Sequence, residues 1–500
     1  MLFKKRIRFL QSGRIATLLL TLPLVFVSSL QSGVVFAAEP ATFEEMQAEA
    51  EARKLLPIQS NEIDNWPAGP QVGAQSAILM DANTGVILYS KNIHERLYPA
   101  STTKIMTALL AMEKGNLDDT VEFSHEAVFS VPSDGSNMGM DEGESISLEE
   151  CLYGVMVASA NEAANAAGEY ISGSIEDFVA LMNKRAEEMG CTDTHFTNTN
   201  GLHDPDHYTS AYDLALISSQ FFRNEMLCKI SNTPRYHFEA TATQPDDFYK
   251  NNKHKLVNGE IPYEGILGGK TGYTDNSRQT LVTCAEQNGM RLVCVVFKEE
   301  TPDQFTDTAE LFDYGFHNFQ VLNISENEEK YNIESTGFLQ IGNDVFGSSK
   351  PILSIDTDSY VIIPNTISFQ DLDSEIDYSQ SDENRVAGIE YSYNGMYVGS
   401  AYLNLVTDNA SSYEFDTKMT ATDVSVEKTE TEAEPLQDTI FINIKKVLVI
   451  ILVLAAIVIT IFMVHALITN GRTAKRRNNR IKRKQKRRSR MRTDFDDFDF

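Results

Sequence analysis

Between residues 71 and 322, apolar positions recur with two periods, one typical of strands and one typical of helices. Two apolar runs flank an Asn-Thr-Gly turn after Ser76, and runs at 278–284 and 290–297 flank a Gln-Asn-Gly turn, so both stretches predict hairpins. Helical spacing predicts helices at 105–113, 148–171, 175–189, 212–222 and 306–316. Strands at both ends with helices between them predict an α/β (α+β) domain, at 71–322, around an antiparallel sheet.

The pattern changes after about residue 324. Short β-rich runs at 337–341, 360–363, 386–393 and 396–406 occur without a long helical period, so residues 325–408 are predicted to form a small all-β domain. Two polar segments flank the folded part. Residues 38–70 are predicted to be a leader, and the acidic residues 409–440, rich in Thr and Ser, a disordered stalk.

The first 37 residues have the pattern of a secretory signal. A basic start is followed by an apolar run from Ile15 to about Val27 and then by small residues, which predicts a signal peptide cut after Ala37. The apolar run is shorter than a membrane span needs. A retained N-terminal anchor is the alternative.

A second apolar segment lies near the C-terminal end. Residues 447–467 have the length of a transmembrane helix, and 13 Lys and Arg follow between Arg472 and Arg492. The positive-inside rule then places the basic tail at 468–500 in the cytoplasm. The sequence therefore predicts a single-pass cell-membrane protein whose folded domains are extracellular.

Charge and cysteine content exclude some classes of protein. Residues 38–438 carry 23 Lys and Arg against 67 Asp and Glu, which disfavours nucleic acid as a partner. The cysteines are too few for a disulfide framework. Cys284 and Cys294 flank the second predicted hairpin turn, where a two-residue turn sets Cys284 opposite Val293 and Cys294 opposite Thr283, on opposite faces. No bridge between them is expected.

The first motif with candidate chemistry is Ser101-Thr102-Thr103-Lys104, which opens the helix predicted at 105–113. The (i, i+3) spacing puts Lys104 within reach of the Ser101 hydroxyl. A serine hydroxyl is a weak nucleophile until a base takes its proton, and a lysine can be that base when burial or a nearby cation lowers its pKa. Taken alone, the pair also fits a helix N-cap beside a solvated lysine.

Two further motifs extend this chemistry. Ser-Ala-Asn at 159–161 lies in a helical region of small residues, where a plain structural hydroxyl is the alternative. Lys-Thr-Gly at 270–272 lies among several glycines at the start of a predicted strand. Glycines let an extended peptide approach a strand edge closely, and a simple glycine-rich turn is the alternative. The lysine of this motif could supply the second cation near Lys104.

In this order, Ser-x-x-Lys, Ser-x-Asn and Lys-Thr-Gly resemble the signature of penicillin-binding proteins and class A β-lactamases. Over about residues 76–319, the chain resembles the low-molecular-mass penicillin-binding proteins, the serine-type D-alanyl-D-alanine carboxypeptidases. The matching stretches are 99–104, 159–164, 198–203 and 270–274. The resemblance implies the penicillin-binding-protein/β-lactamase-like transpeptidase fold with a helical subdomain, and that family's C-terminal domain for the all-β part.

The resemblance also implies roles for the catalytic residues. Ser101 is the acylated nucleophile and Lys104 its base. Ser159 relays a proton to the leaving amine, and Lys270 tunes that step. No metal and no organic cofactor are implied.

The substrate-binding residues that the resemblance implies are Asn161, Lys270, Thr271, Gly272 and Tyr273. Asn161 would hold the peptide amide and Thr271 the substrate carboxylate. The backbone N–H groups of Ser101 and Tyr273 would form the oxyanion hole.

The chain departs from this family in two ways. Many relatives have an arginine before the closing helix that helps to bind the terminal carboxylate, and residues 298–304 contain none. Carboxylate anchoring is therefore open. Relatives also often lie on the membrane through an amphipathic helix, whereas this chain is predicted to span it.

The sequence thus predicts a membrane-anchored serine D-alanyl-D-alanine carboxypeptidase that trims the terminal D-alanine of peptidoglycan stem peptides and is inhibited by β-lactams. A D,D-endopeptidase, a β-lactamase and a non-catalytic penicillin-binding receptor are the alternatives on the same fold. The Glu-x-x-Leu-Asn motif of class A β-lactamases does not occur between Asn161 and Lys270.

A metallopeptidase is an alternative of another class. Its ligands would come from His203, Asp204, Asp206 and His207. Pro205 disfavours the helical histidine pair that zinc peptidases use, so a surface loop is the preferred interpretation.

Overall fold

The structure, a computed structural model, describes residues 43–331, 353–381 and 385–405. The predicted signal peptide, stalk, membrane span and basic tail lie outside these residues, as does the β-rich run predicted at 337–341. Within the described ranges, no helix combines the length and the apolar character needed to cross a bilayer.

The described chain contains both helices and strands. The helices are α1 Phe43–Lys54, α2 Lys104–Lys114, α3 His125–Phe129, α4 Leu148–Tyr153, α5 Asn161–Ser172, α6 Ile175–Glu188, α7 Ala211–Phe222, α8 Glu225–Ser231, α9 Lys255–Asn258, α10 Asp303–Asn318 and α11 Ile324–Asn327. The strands are β1 Ser76–Asp81, β2 Ile87–Lys91, β3 Thr120–Glu122, β4 Ser145–Ser147, β5 Arg235–Phe238, β6 Phe248–Asn251, β7 Ile266–Thr274, β8 Arg278–Gln287, β9 Met290–Glu299, β10 Phe319–Asn323, β11 Leu353–Ile355, β12 Tyr360–Pro364, β13 Asp373–Asp377, β14 Arg385–Tyr393 and β15 Met396–Leu405.

The central sheet has five antiparallel strands in the order β2-β1-β9-β8-β7. Both predicted hairpins are confirmed. Cys284 pairs with Val293 and Cys294 with Thr283, so the predicted register is confirmed and the two thiols lie on opposite faces of the sheet. Because β7 is the last strand in this order, one of its edges is open to an added strand.

The two faces of the sheet bury two different cores. Successive residues of β1 point to opposite faces of the sheet. Ile78 packs among the helices on one face, and Leu79 packs against α10 on the other. Helix α2 lies inside the first core and is buried from Lys104 to Ala111. An apolar helix buried on all sides is expected in the centre of a helical layer. This layer is the predicted helical subdomain.

The single helix predicted at 148–171 is wrong. Helix α4 ends at Tyr153, a π-helical turn covers Gly154–Ala158, Ser159 adopts a left-handed conformation at φ 59°, and α5 begins two residues later. The small apolar residues continue through the break with helical spacing, so the pattern did not reveal it. The Asn161 N–H donates instead to the carbonyl of Ser136. The break separates Ser159 from α4 and makes Asn161 the first residue of α5.

The segment predicted as a leader packs on the central domain from α1 onward. Arg53 is buried and forms an ion pair with Glu300 at 2.9 Å. The Trp66 indole, only 7% exposed, donates to the Leu88 carbonyl at 2.9 Å. The polar composition of this segment concealed these anchors, which are single residues separated by exposed positions.

The second domain is an antiparallel sheet in the order β10-β12-β15-β14-β13, with β11 paired to β15. Three predicted β-rich runs, at 360–363, 386–393 and 396–406, correspond to β12, β14 and β15. The sheet already begins at Phe319, because β10 pairs with β12. The Tyr360 hydroxyl donates to Asp81 of β1 at 3.1 Å and so connects the two sheets.

We predict that Trp66→Ala lowers the free energy of unfolding by about 3–5 kcal/mol, because it leaves a cavity in a packed core. The matched control is Leu55→Ala in the same segment. Leu55 is 85% exposed, so its truncation should change the free energy by less than about 0.5 kcal/mol. Urea denaturation followed by circular dichroism measures both. Equal effects of the two variants would show that the segment is not docked.

Candidate active site

A tight turn positions Ser101. Residues Ala100–Thr103 form a 3₁₀ turn that leads directly into α2, and Ala100 is held in a left-handed conformation at φ 49°. Gly272 on β7 lies against this turn, since a Cβ there would be 2.9 Å from the Ser101 nitrogen. Any side chain at position 272 would push the nucleophile away from β7, so glycine is required at this close approach.

The Lys104 amine is completely buried and makes three polar contacts. Its Nζ is 3.1 Å from Ser101 Oγ, 2.7 Å from Asn161 Oδ1 and 2.7 Å from the Asn200 carbonyl oxygen. The structure therefore brings the first two sequence motifs together around one amine. It also adds Asn200, from the stretch at 198–203, as a third partner.

These contacts fit a neutral amine. The amide oxygen of Asn161 and the carbonyl of Asn200 can only accept, so the two hydrogens of an uncharged amine go to them. The lone pair is then left for the Ser101 hydroxyl. Burial lowers the pKa of Lys104 well below 10.5, and the positive charge of Lys270 lowers it further.

Lys270 lies on β7, is also buried, and donates to the Thr271 carbonyl at 2.8 Å. Burial lowers the pKa of Lys270 to about 7, and the nearby cation of Lys253 acts in the same direction. Two amines with depressed pKa values thus share the site. A site of this kind can accept and return protons near neutral pH.

A cavity of about 330 Å³ lies above these groups. Its lining includes Ser101, Ser159, Thr271, Gly272 and Tyr273 from the sequence motifs. The other three residues contact this lining or each other, since Lys104 contacts Ser101 and Asn161, and Lys270 contacts Thr271. The structure thus brings together the eight residues singled out from the sequence.

The cavity is also lined by residues that the sequence motifs did not indicate. Ser136 and Lys253 line it together, with Lys253 Nζ 3.3 Å from Ser136 Oγ, and Thr301 and Gln304 close the end near α10. Ser136 sits in a loop that the buried carboxylate of Glu162 holds by accepting from Met138 and Gly139. Glu162 directly follows Asn161 in the sequence, but its burial, which reveals this contact, is visible only in the structure.

No arginine comes from residues 298–304. The nearby Arg278, at the start of β8, is bound to Glu300 at 2.7 Å, and Arg53 binds the same carboxylate. The end of the cavity near α10 instead presents the neutral side chains of Thr301 and Gln304. The donors available at this end are therefore hydroxyl and amide groups, with Lys253 also in the cavity lining.

The histidines considered for a metal site have structural partners. His207 is buried, and its Nδ1 accepts from the Thr197 N–H while Nε2 lies 2.8 Å from Thr103 Oγ1. Burial lowers the pKa of His207 to about 4, so the ring is neutral and donates through Nε2. His203 contacts Asn276. Within the described ranges, no three His, Cys, Asp or Glu side chains are grouped to hold a metal ion.

We predict that Lys270→Met is more stable than the wild type at pH 6, by about 1–4 kcal/mol, because a buried cation is replaced by an apolar chain. The folded pKa of about 7 lies below the ordinary value of 10.5, so the unfolded chain binds more protons between these values. Wild-type stability therefore rises across this range, and the advantage of the variant shrinks. Denaturant titrations at pH 6, 8 and 10 test this, with the exposed Lys184→Met as control. A pH-independent difference would contradict it.

Comparisons with known proteins agree with this geometry. The family model of D-alanyl-D-alanine carboxypeptidases, peptidase family S11, matches residues 63–301. DacF of Bacillus subtilis is 37% identical over 253 residues, which are 49% of this chain and 63% of DacF, so the match spans less than two thirds of that relative. DacB2 of Mycobacterium tuberculosis is 32% identical over 51% of this chain and 87% of its own.

Solved structures give the same result for the fold. Penicillin binding protein 5 from Haemophilus influenzae superposes with a TM-score of 0.55 at 27% identity, covering 68% of this chain and 99% of its own. Penicillin binding protein 6B from Escherichia coli gives a TM-score of 0.51 at 25% identity, covering 69% and 98%. Each of these matches covers a larger share of this chain than residues 63–301 do, which is consistent with the second domain. The chain belongs to the S11 family of serine-type D-alanyl-D-alanine carboxypeptidases.

Proposed function

We propose that the protein removes the terminal D-alanine from peptidoglycan stem peptides through an acyl-enzyme at Ser101. The observation that carries this proposal is the buried Lys104 amine, which lies 3.1 Å from Ser101 Oγ and 2.7 Å from each of two acceptors, Asn161 Oδ1 and the Asn200 carbonyl oxygen. A base in this arrangement can accept the hydroxyl proton as the oxygen attacks a carbonyl. The family assignment supports the same chemistry.

In the acylation step, Ser101 Oγ attacks the carbonyl carbon of the penultimate residue while its proton passes to Lys104. The backbone N–H groups of Ser101 and Tyr273 stabilise the oxyanion of the tetrahedral intermediate. When the C–N bond breaks, the leaving D-alanine amine takes a proton that Ser159 relays. A Ser101 ester and free D-alanine result.

In the deacylation step, a water molecule replaces D-alanine. Lys104, neutral again, takes a proton from this water as its oxygen attacks the ester carbonyl. The proton then returns to Ser101 Oγ as the acid product leaves. The same base serves both half-reactions, as expected for a double-displacement hydrolase.

The open edge of β7 supplies the binding mode. An extended peptide can add to this edge by main-chain hydrogen bonds. With the substrate carboxylate near Thr271 and the reacting carbonyl near Tyr273, the peptide runs antiparallel to β7. Asn161 Oδ1 already accepts from Lys104, which leaves its amide nitrogen for a substrate carbonyl.

β-Lactams should inhibit the enzyme by entering the same reaction. Opening of the lactam ring by Ser101 would form an ester, while the displaced amine remains attached to the inhibitor. That amine would obstruct the approach of water, so the ester should persist.

We also propose that the enzyme is exported and held at the cell membrane by the segment at 447–467, with the tail at 468–500 in the cytoplasm. The basic start with its apolar run at 1–37 and the strong positive charge after residue 467 support this arrangement. A peptidoglycan substrate lies outside the membrane, so the location and the proposed reaction are consistent.

We predict that Ser101→Ala loses labelling by a fluorescent penicillin and loses release of D-alanine from a peptide ending in D-Ala-D-Ala. Ser174→Ala, at the N-cap of α6, is the matched control and should retain both activities. Gel fluorescence and a D-amino-acid oxidase assay measure the two. Persistent labelling of Ser101→Ala would refute the assignment of the nucleophile. Rapid recovery of wild-type enzyme from penicillin would indicate a β-lactamase, and labelling without D-alanine release a receptor.

We predict that Lys104→Arg lowers the acylation rate constant by about 10²–10⁴-fold, the usual contribution of a general base. Arginine keeps the positive charge but does not deprotonate in proteins, so it cannot accept the hydroxyl proton. Stopped-flow acylation by a chromogenic cephalosporin measures the effect, with Lys184→Arg on α6 as control. Acylation within tenfold of the wild-type rate would exclude Lys104 as the base.

A further inference from the structure

A second cavity lies beside the turn between β7 and β8, outside the catalytic cleft. Its volume is about 250 Å³. Four segments contribute to it: the residues before Ser101, the loop before α7, the turn between β7 and β8, and the end of β9. Their lining residues include Arg96, Tyr98, Tyr208, Asn276, Ser277 and Lys298.

The charge of this cavity is opposite to that of the whole protein. The chain has a net charge of −28, yet no carboxylate belongs to the described residues that line the cavity. Arg96 forms an ion pair with Asp193 at 3.0 Å, and its guanidinium lies over the Tyr208 ring. Lys298 has no ion pair with any described residue. A local positive region in an acidic protein attracts an anionic ligand.

The cavity also presents hydrogen-bond donors that lack acceptors. The hydroxyls of Tyr98 and Tyr208 make no hydrogen bond to another described residue, and the Lys298 ammonium adds three N–H donors. These phenol and ammonium groups belong to residues that line one cavity, and donors of this kind suit the oxygens of a carboxylate.

Backbone strain marks the same place. Eight non-glycine residues of the described chain have positive φ, and half of them are asparagines, which tolerate this conformation. The remaining ones are Ala100, Ser159, Arg278 and Lys298. The first two lie in the catalytic site. Lys298, at φ 54°, lies where the β8–β9 register shifts between Gln279 and Leu281, beside the second cavity. Strain of this kind concentrates at functional sites.

The proposed direction of the substrate leads to this cavity. A peptide antiparallel to β7, with its reacting carbonyl at Tyr273, continues past Thr274 toward the turn that contains Asn276. Each extended residue advances about 3.3 Å, and the reacting carbonyl belongs to the first residue before the scissile bond, so the third residue lies about 7 Å farther along. The turn at 275–277, which contains Asn276, likewise begins two residues beyond Tyr273.

We propose that this cavity binds a carboxylate on the donor peptide near the third residue before the scissile bond, with Lys298 as its main partner. This inference rests on the proposed function and makes it more specific, because it assigns a preference among peptides with the same D-Ala-D-Ala end. Lys298 acts here in substrate selection and takes no part in the chemical step.

The test compares two pentapeptides, L-Ala-γ-D-Glu-L-Lys-D-Ala-D-Ala and the same peptide with the glutamyl α-carboxylate converted to an amide. Wild-type full-length protein should hydrolyse the carboxylate peptide with a kcat/KM about tenfold higher, since hydrogen bonds to a charged group contribute at least this factor. Lys298→Gln should reduce this ratio to about one. Lys298→Arg should keep the wild-type ratio, and the exposed Lys184→Gln serves as the matched control.

Each other result has a defined meaning. A wild-type ratio that persists in Lys298→Gln, or a fall of both kcat/KM values by the same factor, would overturn the carboxylate site. A wild-type ratio of one would also overturn it. Wild-type protein that releases D-alanine from neither peptide would refute the proposed function and this inference with it, and the two failures are therefore distinguishable.

Discussion

The site depends on one constraint, the burial of the Lys104 amine against three polar partners from the described part of the chain. In water this amine would carry a proton and could not accept another. Complete burial and the charge of Lys270 lower its pKa, and Asn161 and Asn200 hold its hydrogens away from Ser101. Burying two lysines that form no ion pair with a described carboxylate lowers the stability of the folded domain, and other interactions in the domain must offset this loss.

Several distant parts of the fold serve this constraint. The sheet brings Gly272 against the turn of Ser101, and the absence of a side chain there allows the contact. The break before α5 gives Ser159 and Asn161 directions that a continuous helix would not allow. His207 stabilises the turn at 100–103 through its hydrogen bond to the Thr103 hydroxyl. Strain at Ala100 and Ser159 is thus part of the arrangement that holds the nucleophile and its base.

Much of this could be predicted from the sequence. The hairpins, α2, α6, α7 and α10 follow from apolar spacing, and the three motifs identified the residues of the site. The break at Ser159 could not be predicted, because small residues fit both a helix and a π-helical turn. Lys253 and Ser136 were missed since each lies in a loop without periodicity. The role of the segment before Pro70 was also hidden, because its contacts depend on Arg53 and Trp66, two buried residues in a polar stretch.

The pH dependence of acylation tests the account most directly. The rate constant for acylation by a β-lactam should rise along an acid limb set by Lys104, with an apparent pKa well below the ordinary 10.5. Replacing Lys270 by glutamine should move this limb to higher pH, because the neighbouring cation that lowers the pKa of Lys104 is removed. A limb at the ordinary lysine value, or one that does not move in the variant, would contradict the account.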